Sequence, residues 1–200
     1  MTVFAMTTAA DNGELIAQAA ALGYIDGGVL DATFGLGRFW TDFTPESLTA
    51  CDLDPRRARD VCCDFTALPF GDRSFGTVVL DPPYKLNGTS TGKGAAACDA
   101  DYGVGGTDWS RLTWQERHGL IRAGIGEAVR VADRWVLIKC QDQVCSGRVR
   151  WQTREFADHA ESLGCRLVDM LHLGSYRAQP AGRRQVHARR NYSSLLVLAR

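Results

Sequence analysis

The sequence predicts an α/β fold: a three-layer sandwich around a mostly parallel, seven-stranded sheet, in one domain spanning residues 1–200. Short apolar strands alternate with helical patterns along the chain, which is typical of a parallel sheet. The last two strands are joined by a segment without helical pattern, so the last strand should pair antiparallel. Neither an internal repeat nor a linker divides the chain.

The first half contains a helix and four short strands. The helix lies within the first 23 residues, and Asp11 or Asn12 is its N-cap. The strands are predicted at 29–33, 48–51, 61–63 and 77–80, and a short helix is predicted at 56–60. Pro82 and Pro83 end the fourth strand, because proline has no backbone N–H and cannot continue a sheet ladder.

The second half begins with a segment of different composition. Residues 85–109 are rich in glycine, serine and threonine, and a structureless loop of this length in a compact domain is usually functional or disordered. We interpret it as a flexible substrate loop. Helices follow at 110–131 and 151–163, and strands at 135–139, 166–173 and 192–198. A basic loop at 174–190 precedes the last strand.

The composition limits the classes of function. Hydrophobic residues make up 45% and charged residues 23%, as in an ordinary globular protein. Acidic and basic residues number 23 each, so no overall charge attracts a polyanion. Seven cysteines without C-x-x-C spacing argue against a disulfide framework or a zinc site. Without a signal sequence or a membrane-length apolar run, we expect a cytoplasmic protein that uses no metal and no membrane.

Acidic residues follow the first four strands: Asp31, Asp52, Asp64 and Asp81. In an open α/β sheet, ligands bind outside the carboxyl ends of the strands. The turn Gly35-Leu36-Gly37 follows the first strand, and glycines permit close approach of the backbone to a ligand. A carboxylate after the second strand can accept both hydroxyls of a ribose. The pattern therefore favours one shared site over four unrelated loop residues.

These residues resemble the class I S-adenosylmethionine-dependent methyltransferases. The segment VLDATFGLG at 29–37 resembles their motif I, although Thr33 stands where these enzymes usually carry phenylalanine. Asp52 resembles the residue that binds the cofactor ribose, and Asp64 the residue that holds the adenine ring, which Phe65 would flank. The resemblance implies a Rossmann-like fold and S-adenosyl-L-methionine as cofactor. The cofactor-binding residues it implies are Asp31, Thr33, Phe34, Gly35, Gly37, Asp52, Leu53, Asp64 and Phe65.

The segment Asp81-Pro82-Pro83-Tyr84 matches the D/N-P-P-Y signature of enzymes that methylate exocyclic amines, chiefly N6 of adenine. The Asp81 side chain and the Pro82 carbonyl could accept the two N–H bonds of the amine. Tyr84 could stack on the extruded base. The resemblance therefore implies an N6-adenine DNA methyltransferase with these four residues as its catalytic loop.

Other functions remain open at this point. An enzyme that methylates amino groups of RNA bases would use the same loop. An N4-cytosine enzyme usually carries serine at position 81, and a protein-glutamine methyltransferase usually carries asparagine there. A chain that kept the fold and lost turnover would be a nucleic-acid-binding module.

The recognition of nucleic acid falls to two segments, because too few positions separate Asp31 from Asp81 for a target-recognition domain. These are the loop at 85–109 and the basic loop at 174–190, which contains arginines and no acidic residue. Basic side chains on such a loop are suited to phosphate contact. We expect DNA rather than RNA as partner. The predicted contact residues are Lys85, Arg177, Arg183, Arg184, His187 and Arg189.

Overall fold

A computed structural model describes residues 9–86, 112–175, 186–188 and 190–200. The helices are α1 (Asn12–Ala21), α2 (Trp114–Val131) and α3 (Gln152–Ser162). The strands of the main sheet are β1 (Val29–Asp31), β2 (Leu48–Asp52), β3 (Val61–Cys62), β4 (Phe75–Leu80), β5 (Ala132–Cys140), β8 (Arg166–Gly174) and β9 (Tyr192–Ala199). Two short strands, β6 (Gln143–Cys145) and β7 (Arg148–Arg150), form a separate hairpin.

The main sheet has the order β3-β2-β1-β4-β5-β9-β8. Strands β1 to β5 pair parallel, and β9 runs antiparallel between β5 and β8. The predicted mostly parallel, seven-stranded sheet with an antiparallel last strand is confirmed. The strand order reverses between β1 and β4, so a crevice opens at the carboxyl ends of these two strands.

Both faces of the sheet are covered, which explains the nearly continuous apolar strands. Alternate residues of β4 serve opposite faces. Val78 packs in the core beneath α2 and α3, whereas Val79 packs in the core beneath α1. Phe39 and Trp40 join the second core from a 3-10 helix at Arg38–Trp40. The molecule is therefore the predicted three-layer sandwich.

Local capping explains where the helices begin. Asp11 caps α1, as predicted, because its carboxylate accepts the Glu14 backbone N–H at 2.9 Å. Thr113 and Glu116 form a capping box at the start of α2.

None of the three described helices is both long and apolar enough to cross a bilayer.

The predicted helix at 56–60 is wrong, because this segment is a turn. The Asp54 carboxylate accepts the backbone N–H of Arg56 and also binds its guanidinium. Asp60 accepts the backbone N–H of Ala50 in β2 at 2.7 Å, and Arg59 donates to the Leu48 carbonyl at 2.7 Å. The contacts of Asp60 and Arg59 bind the end of the segment to β2, so no helix continues through it.

The β6–β7 hairpin was not predicted. Its turn contains Ser146 and Gly147 at φ 52° and 72°, the left-handed conformation that two-residue hairpin turns require. Most of the two predicted loops lies outside the described residues. The structure describes residues 85 and 86 of the first loop, and residues 174, 175, 186–188 and 190 of the second.

Candidate active site

The carboxyl ends of β1, β4 and β5 border a cleft of about 320 Å³. Much of the predicted site meets there. The predicted residues that line the cleft are Asp31, Thr33, Phe34, Gly35, Asp81, Pro82, Pro83, Tyr84 and Lys85. Asn12, Arg38 and Lys139 also line it. The cleft therefore brings the first glycine of the turn together with the whole Asp-Pro-Pro-Tyr segment.

Asp31 is buried at the end of β1 and holds the turn that follows it. One carboxylate oxygen accepts the Thr33 N–H at 3.0 Å, and the other accepts the Trp40 indole N–H at 2.8 Å. Burial raises the pKa of Asp31 to about 7, although the bonds from Trp40 and Thr33 lower it. Asp31 is thus a supporting residue whose charge changes near neutral pH.

The glycine turn needs glycine at two positions. Gly35 and Gly37 have φ values of 56° and 67°, which side-chain-bearing residues rarely adopt. A Cβ atom at Gly37 would lie 2.7 Å from the Phe34 ring. The Gly35 N–H donates to Asp52 at 2.7 Å, and the Phe34 N–H donates to the Cys51 carbonyl at 2.8 Å. The turn is therefore bound to the end of β2.

Asp52 and Leu53 lie at that end of β2, beside the lining of the cleft. The Asp52 carboxylate accepts the N–H groups of Gly35 and Asp54, one on each oxygen. Each oxygen keeps a lone pair for another donor. The Leu53 carbonyl faces Cys62 Sγ at 3.5 Å. Binding of a ribose by Asp52 stays a prediction that this geometry permits.

Asp64 and Phe65 follow β3, and neither lines the cleft. The Asp64 carboxylate accepts both the N–H and the hydroxyl of Thr66 at 2.8 Å. Phe65 is only 7% exposed and packs in the core against α2, where a Cβ atom on Gly124 would lie 2.3 Å from its ring. Contact of these two residues with an adenine ring stays a prediction.

The loop after β4 is fixed through its backbone. The Asp81 N–H donates to Thr33 Oγ1 at 2.7 Å, which joins this loop to the turn after β1. The Tyr84 N–H donates to the Pro82 carbonyl at 2.6 Å. The Tyr84 carbonyl accepts two side-chain amides, Gln143 at 2.9 Å from the hairpin and Gln152 at 2.8 Å from α3.

Asp81 has a buried cation as neighbour. Lys139 Nζ lies 3.4 Å from the carboxylate. Among the described residues, no other side chain forms an ion pair with Asp81. Burial raises the pKa of Asp81, whereas the charges of Lys139 and Lys85 lower it.

Lys139 was not predicted as a site residue from the sequence, because its position is typical of the end of a buried strand. A lysine after four apolar residues, at the edge where Asp81 lies, is the signal that could have found it.

The described part of the basic loop lies beside the hairpin. A ring nitrogen of His187 donates to the Gly147 carbonyl at 2.9 Å. The Arg190 guanidinium lies over the Trp151 ring at 4.4 Å, and Arg150 lies over Trp114 at 3.8 Å. Four of the predicted contact residues, Arg177, Arg183, Arg184 and Arg189, lie outside the described residues.

Comparisons with known proteins identify the fold. No model of a protein family matches the sequence, and no curated protein matches it. A candidate methyltransferase from Bacillus halodurans is 14% identical, with a TM-score of 0.57 over 92% of this chain and 97% of its own. A candidate RNA methyltransferase from Pyrococcus horikoshii is 13% identical, with a TM-score of 0.56 over 94% and 83%. Magnesium protoporphyrin IX methyltransferase from Synechocystis, solved with bound S-adenosylhomocysteine, is 13% identical, with a TM-score of 0.53 over 94% and 81%.

The chain therefore has the Rossmann-like fold of the class I methyltransferases. Neighbours with this fold are named for different substrates, among them a magnesium porphyrin and, for the candidate enzyme from Pyrococcus horikoshii, RNA. At these identities the likeness establishes the architecture, and the function has to be argued from the cleft.

Proposed function

We propose that this chain is an S-adenosyl-L-methionine-dependent methyltransferase that modifies the exocyclic amino group of a nucleic-acid base, with N6 of adenine in DNA as the favoured target. One observation carries the proposal. The Asp-Pro-Pro-Tyr loop and the glycine turn line the same cleft and are joined by the hydrogen bond from the Asp81 N–H to Thr33 Oγ1. A segment suited to an amine thus lies beside a segment suited to the cofactor.

The residues around the cleft fit this cofactor. Gly35 leaves the wall of the cleft without a side chain, and Asp52 keeps lone pairs for ribose hydroxyls. The Synechocystis enzyme, which has this fold, is known in two structures, one with bound S-adenosylmethionine and one with its product S-adenosylhomocysteine. When bound, S-adenosylmethionine supplies an electrophilic methyl group with a neutral thioether as leaving group. The remaining work for the protein is to place and prepare the amine.

Asp81 and Pro82 would prepare the amine. The lone pair of an aromatic amine is delocalised into the ring, so the nitrogen is a poor nucleophile. Hydrogen bonds from its N–H groups to the Asp81 carboxylate and the Pro82 carbonyl favour a pyramidal nitrogen with a localised lone pair. The Pro82 carbonyl already accepts one N–H, from Tyr84, and it has a second lone pair. After methylation, the nitrogen loses one proton to Asp81 or to water, which leaves a neutral amine.

Replacement of Asp81 tests this role. We expect Asp81→Ala to abolish turnover and to leave the affinity for S-adenosylmethionine nearly unchanged, because the loop is held through its backbone. The assays are transfer of a tritiated methyl group to unmodified DNA and RNA, with nucleoside analysis, and calorimetric titration of the cofactor. Asp133→Ala, an exposed change at the opposite end of β5, is the control and should behave as the wild type. Loss of cofactor binding in Asp81→Ala would contradict the assigned role.

The same assays separate the other candidate functions. Methylcytosine in the product would identify an N4-cytosine enzyme, and methylation of RNA alone would identify an RNA enzyme. Binding of cofactor and DNA without any transfer would identify a non-catalytic module. A wild-type protein that does not bind S-adenosylmethionine would overturn all the enzymatic alternatives.

The surface beside the loop supports nucleic acid as the substrate. Trp151 is 50% exposed, and its ring carries Arg190 on one face. Arg148 is exposed on the hairpin, and Asp142, which precedes the hairpin, is buried and accepts the N–H and the hydroxyl of Thr153. Gln152, the residue after Trp151, contacts the Tyr84 carbonyl. An exposed aromatic ring with arginines next to a catalytic loop suits the bases and phosphates that flank a target base.

Salt dependence tests this surface. We expect the affinity for a DNA duplex, measured by fluorescence anisotropy, to fall steeply with salt, because phosphate contacts release counterions. Arg148→Glu should flatten the salt dependence, and Trp151→Ala should weaken binding by roughly tenfold. Arg166→Glu, on an exposed arginine at the opposite edge of the sheet, is the matched control and should change neither. A wild-type affinity independent of salt would count against a nucleic-acid substrate.

A further inference from the structure

We propose that Lys139 is a positioning residue that keeps the Asp81 carboxylate charged, so that it can accept an N–H of the target amine. The inference rests on the proposed function, because it assigns the amine to Asp81. It concerns a side chain that neither motif contains, contributed by a strand, β5, that carries none of the predicted site residues.

Lys139 is built into the site as a buried cation. It precedes the last residue of β5 and pairs with Leu195 of β9, and its side chain is only 5% exposed. Nζ donates to Asn12 Oδ1 at 2.7 Å and lies 3.4 Å from Asp81 Oδ2. It also lies 5.1 Å from the centre of the Phe39 ring and 5.8 Å from that of Tyr84. A buried ammonium is costly without such partners, so this one is held at a defined place.

The two polar contacts have different lengths and different consequences. The short bond to the neutral Asn12, at the start of α1, fixes the position of Nζ without neutralising it. The separation from Asp81 is long for a hydrogen bond, so Lys139 acts on this carboxylate mainly through its charge. The Asp81 side chain is 26% exposed, and its oxygens keep lone pairs for an N–H donor in the cleft.

The charges around Asp81 explain why such a cation is needed. Asp31, at the end of the adjacent β1, is a second carboxylate, and burial and, to a smaller extent, repulsion from Asp81 raise its pKa. Burial raises the pKa of Asp81 as well, and Lys139 opposes this more strongly than Lys85 does. Arg38 and Arg57 line the same cleft, and Asn12 is neutral. Without Lys139, Asp81 would stay protonated to higher pH and would no longer offer a carboxylate to the N–H of the target amine.

The first test measures the Asp81 pKa directly in the free protein. Carbon-13 NMR of aspartate-labelled protein, with Asp81→Asn to assign the signal, gives the pKa in the wild type and the variants. We expect Lys139→Met to raise the pKa of Asp81 by about one unit or more, since the opposite charge within 4–6 Å is lost. Lys139→Arg should change it much less. Arg134→Met, an exposed arginine at the other end of the same strand, is the control.

The second test is the pH dependence of methyl transfer, with cofactor affinity measured in parallel. In Lys139→Met, the acidic limb of the turnover profile should move to higher pH by the shift found by NMR, at unchanged affinity for S-adenosylmethionine. Lys139→Gln replaces the methionine variant if circular dichroism shows that the latter is unfolded. An unshifted Asp81 pKa, or a tenfold loss of cofactor affinity in its place, would overturn the inference and assign Lys139 to cofactor binding. Absence of transfer by the wild type would overturn the proposed function, whereas an NMR shift in that case would still support the coupling.

Discussion

The two halves of the main sheet are held together in different ways. Strands β1 to β4 have two to six residues, and the connections between them contain only a 3-10 helix. Strands β5, β8 and β9 have eight or nine residues and long antiparallel ladders. In the first half, carboxylates accept backbone N–H groups at the strand ends. These carboxylates are Asp31, Asp52, Asp60 and Asp64.

At these carboxylates, stability and the predicted cofactor site are linked. Three of the four carboxylates that hold the first half are also predicted cofactor residues. In the second half, the buried Asp142 binds the start of α3 and lies outside the cleft lining, whereas Lys139 lines the cleft. Changes at the carboxylates of the first half should therefore affect ligand binding and folding together, and a comparable change at Asp142 should affect folding alone.

The largest contrast is expected between Asp52→Ala and Asp142→Ala. Asp142 accepts the N–H and the hydroxyl of Thr153 at 3.0 Å, as Asp52 accepts two backbone N–H groups. Each variant should lower the free energy of unfolding by about 1–3 kcal/mol, because donors lose their acceptor. Only Asp52→Ala should also weaken S-adenosylmethionine binding, by more than tenfold. Urea denaturation measures the free energy of unfolding, and calorimetric titration measures the cofactor affinity. Equal cofactor affinity in the two variants would contradict the expected difference.

A smaller effect is expected where the halves meet, at Gly124. A Cβ atom on this residue of α2 would lie 2.3 Å from the Phe65 ring, so Gly124→Ala should lower the free energy of unfolding by about 1–3 kcal/mol through overpacking. At Gly126, one half-turn on, a Cβ atom would meet nothing within 4 Å. Gly126→Ala should therefore stabilise by up to about 1 kcal/mol through helix propensity. Thermal unfolding distinguishes them, and a stable Gly124→Ala variant would show that Phe65 moves aside easily.

The last effect is a pH dependence of stability from Asp31. Its pKa is about 7 in the folded chain, above the 3.8 of an ordinary aspartate, so the folded state retains a proton that the unfolded state has lost. The stabilisation from this proton is complete below pH 3.8 and disappears as the pH rises to about 7. As the pH rises through this window, the free energy of unfolding of Asp31→Asn should increase relative to that of the wild type, by at most about 1.4 kcal/mol per pH unit. Denaturation curves at several pH values test this, and a constant difference would contradict it.

Local signals were sufficient to predict most of the sheet. Apolar β-branched runs ending at an aspartate or at Pro82 mark strand ends within a few residues. The local pattern at 56–60 predicted a helix wrongly, because the conformation of this segment depends on contacts of Asp60 and Arg59 with β2. These contacts join residues that are distant along the chain. The hairpin was not predicted because each of its strands has only three residues, which is too short for an alternation of apolar and polar residues to be recognised.

The same distinction applies to the site. Asp81 and Tyr84 belong to a continuous motif, so the sequence alone is enough to predict them as site residues. Lys139 and Asn12 meet Asp81 only because the topology places β5 beside β4 and brings the start of α1 to the same edge. The spacing of these residues along the chain does not predict their contacts.

The double anchorage of the Tyr84 carbonyl has a consequence for protein engineering. Since Gln143 and Gln152 hold the backbone at this point, the identity of the side chain at position 84 contributes little to the path of the loop. A library of aromatic, aliphatic and polar residues at this position would vary the surface offered to the proposed flat substrate while the two glutamines hold the backbone. If the proposed function is correct, the choice of methyl acceptor could be altered by substitutions at this one position.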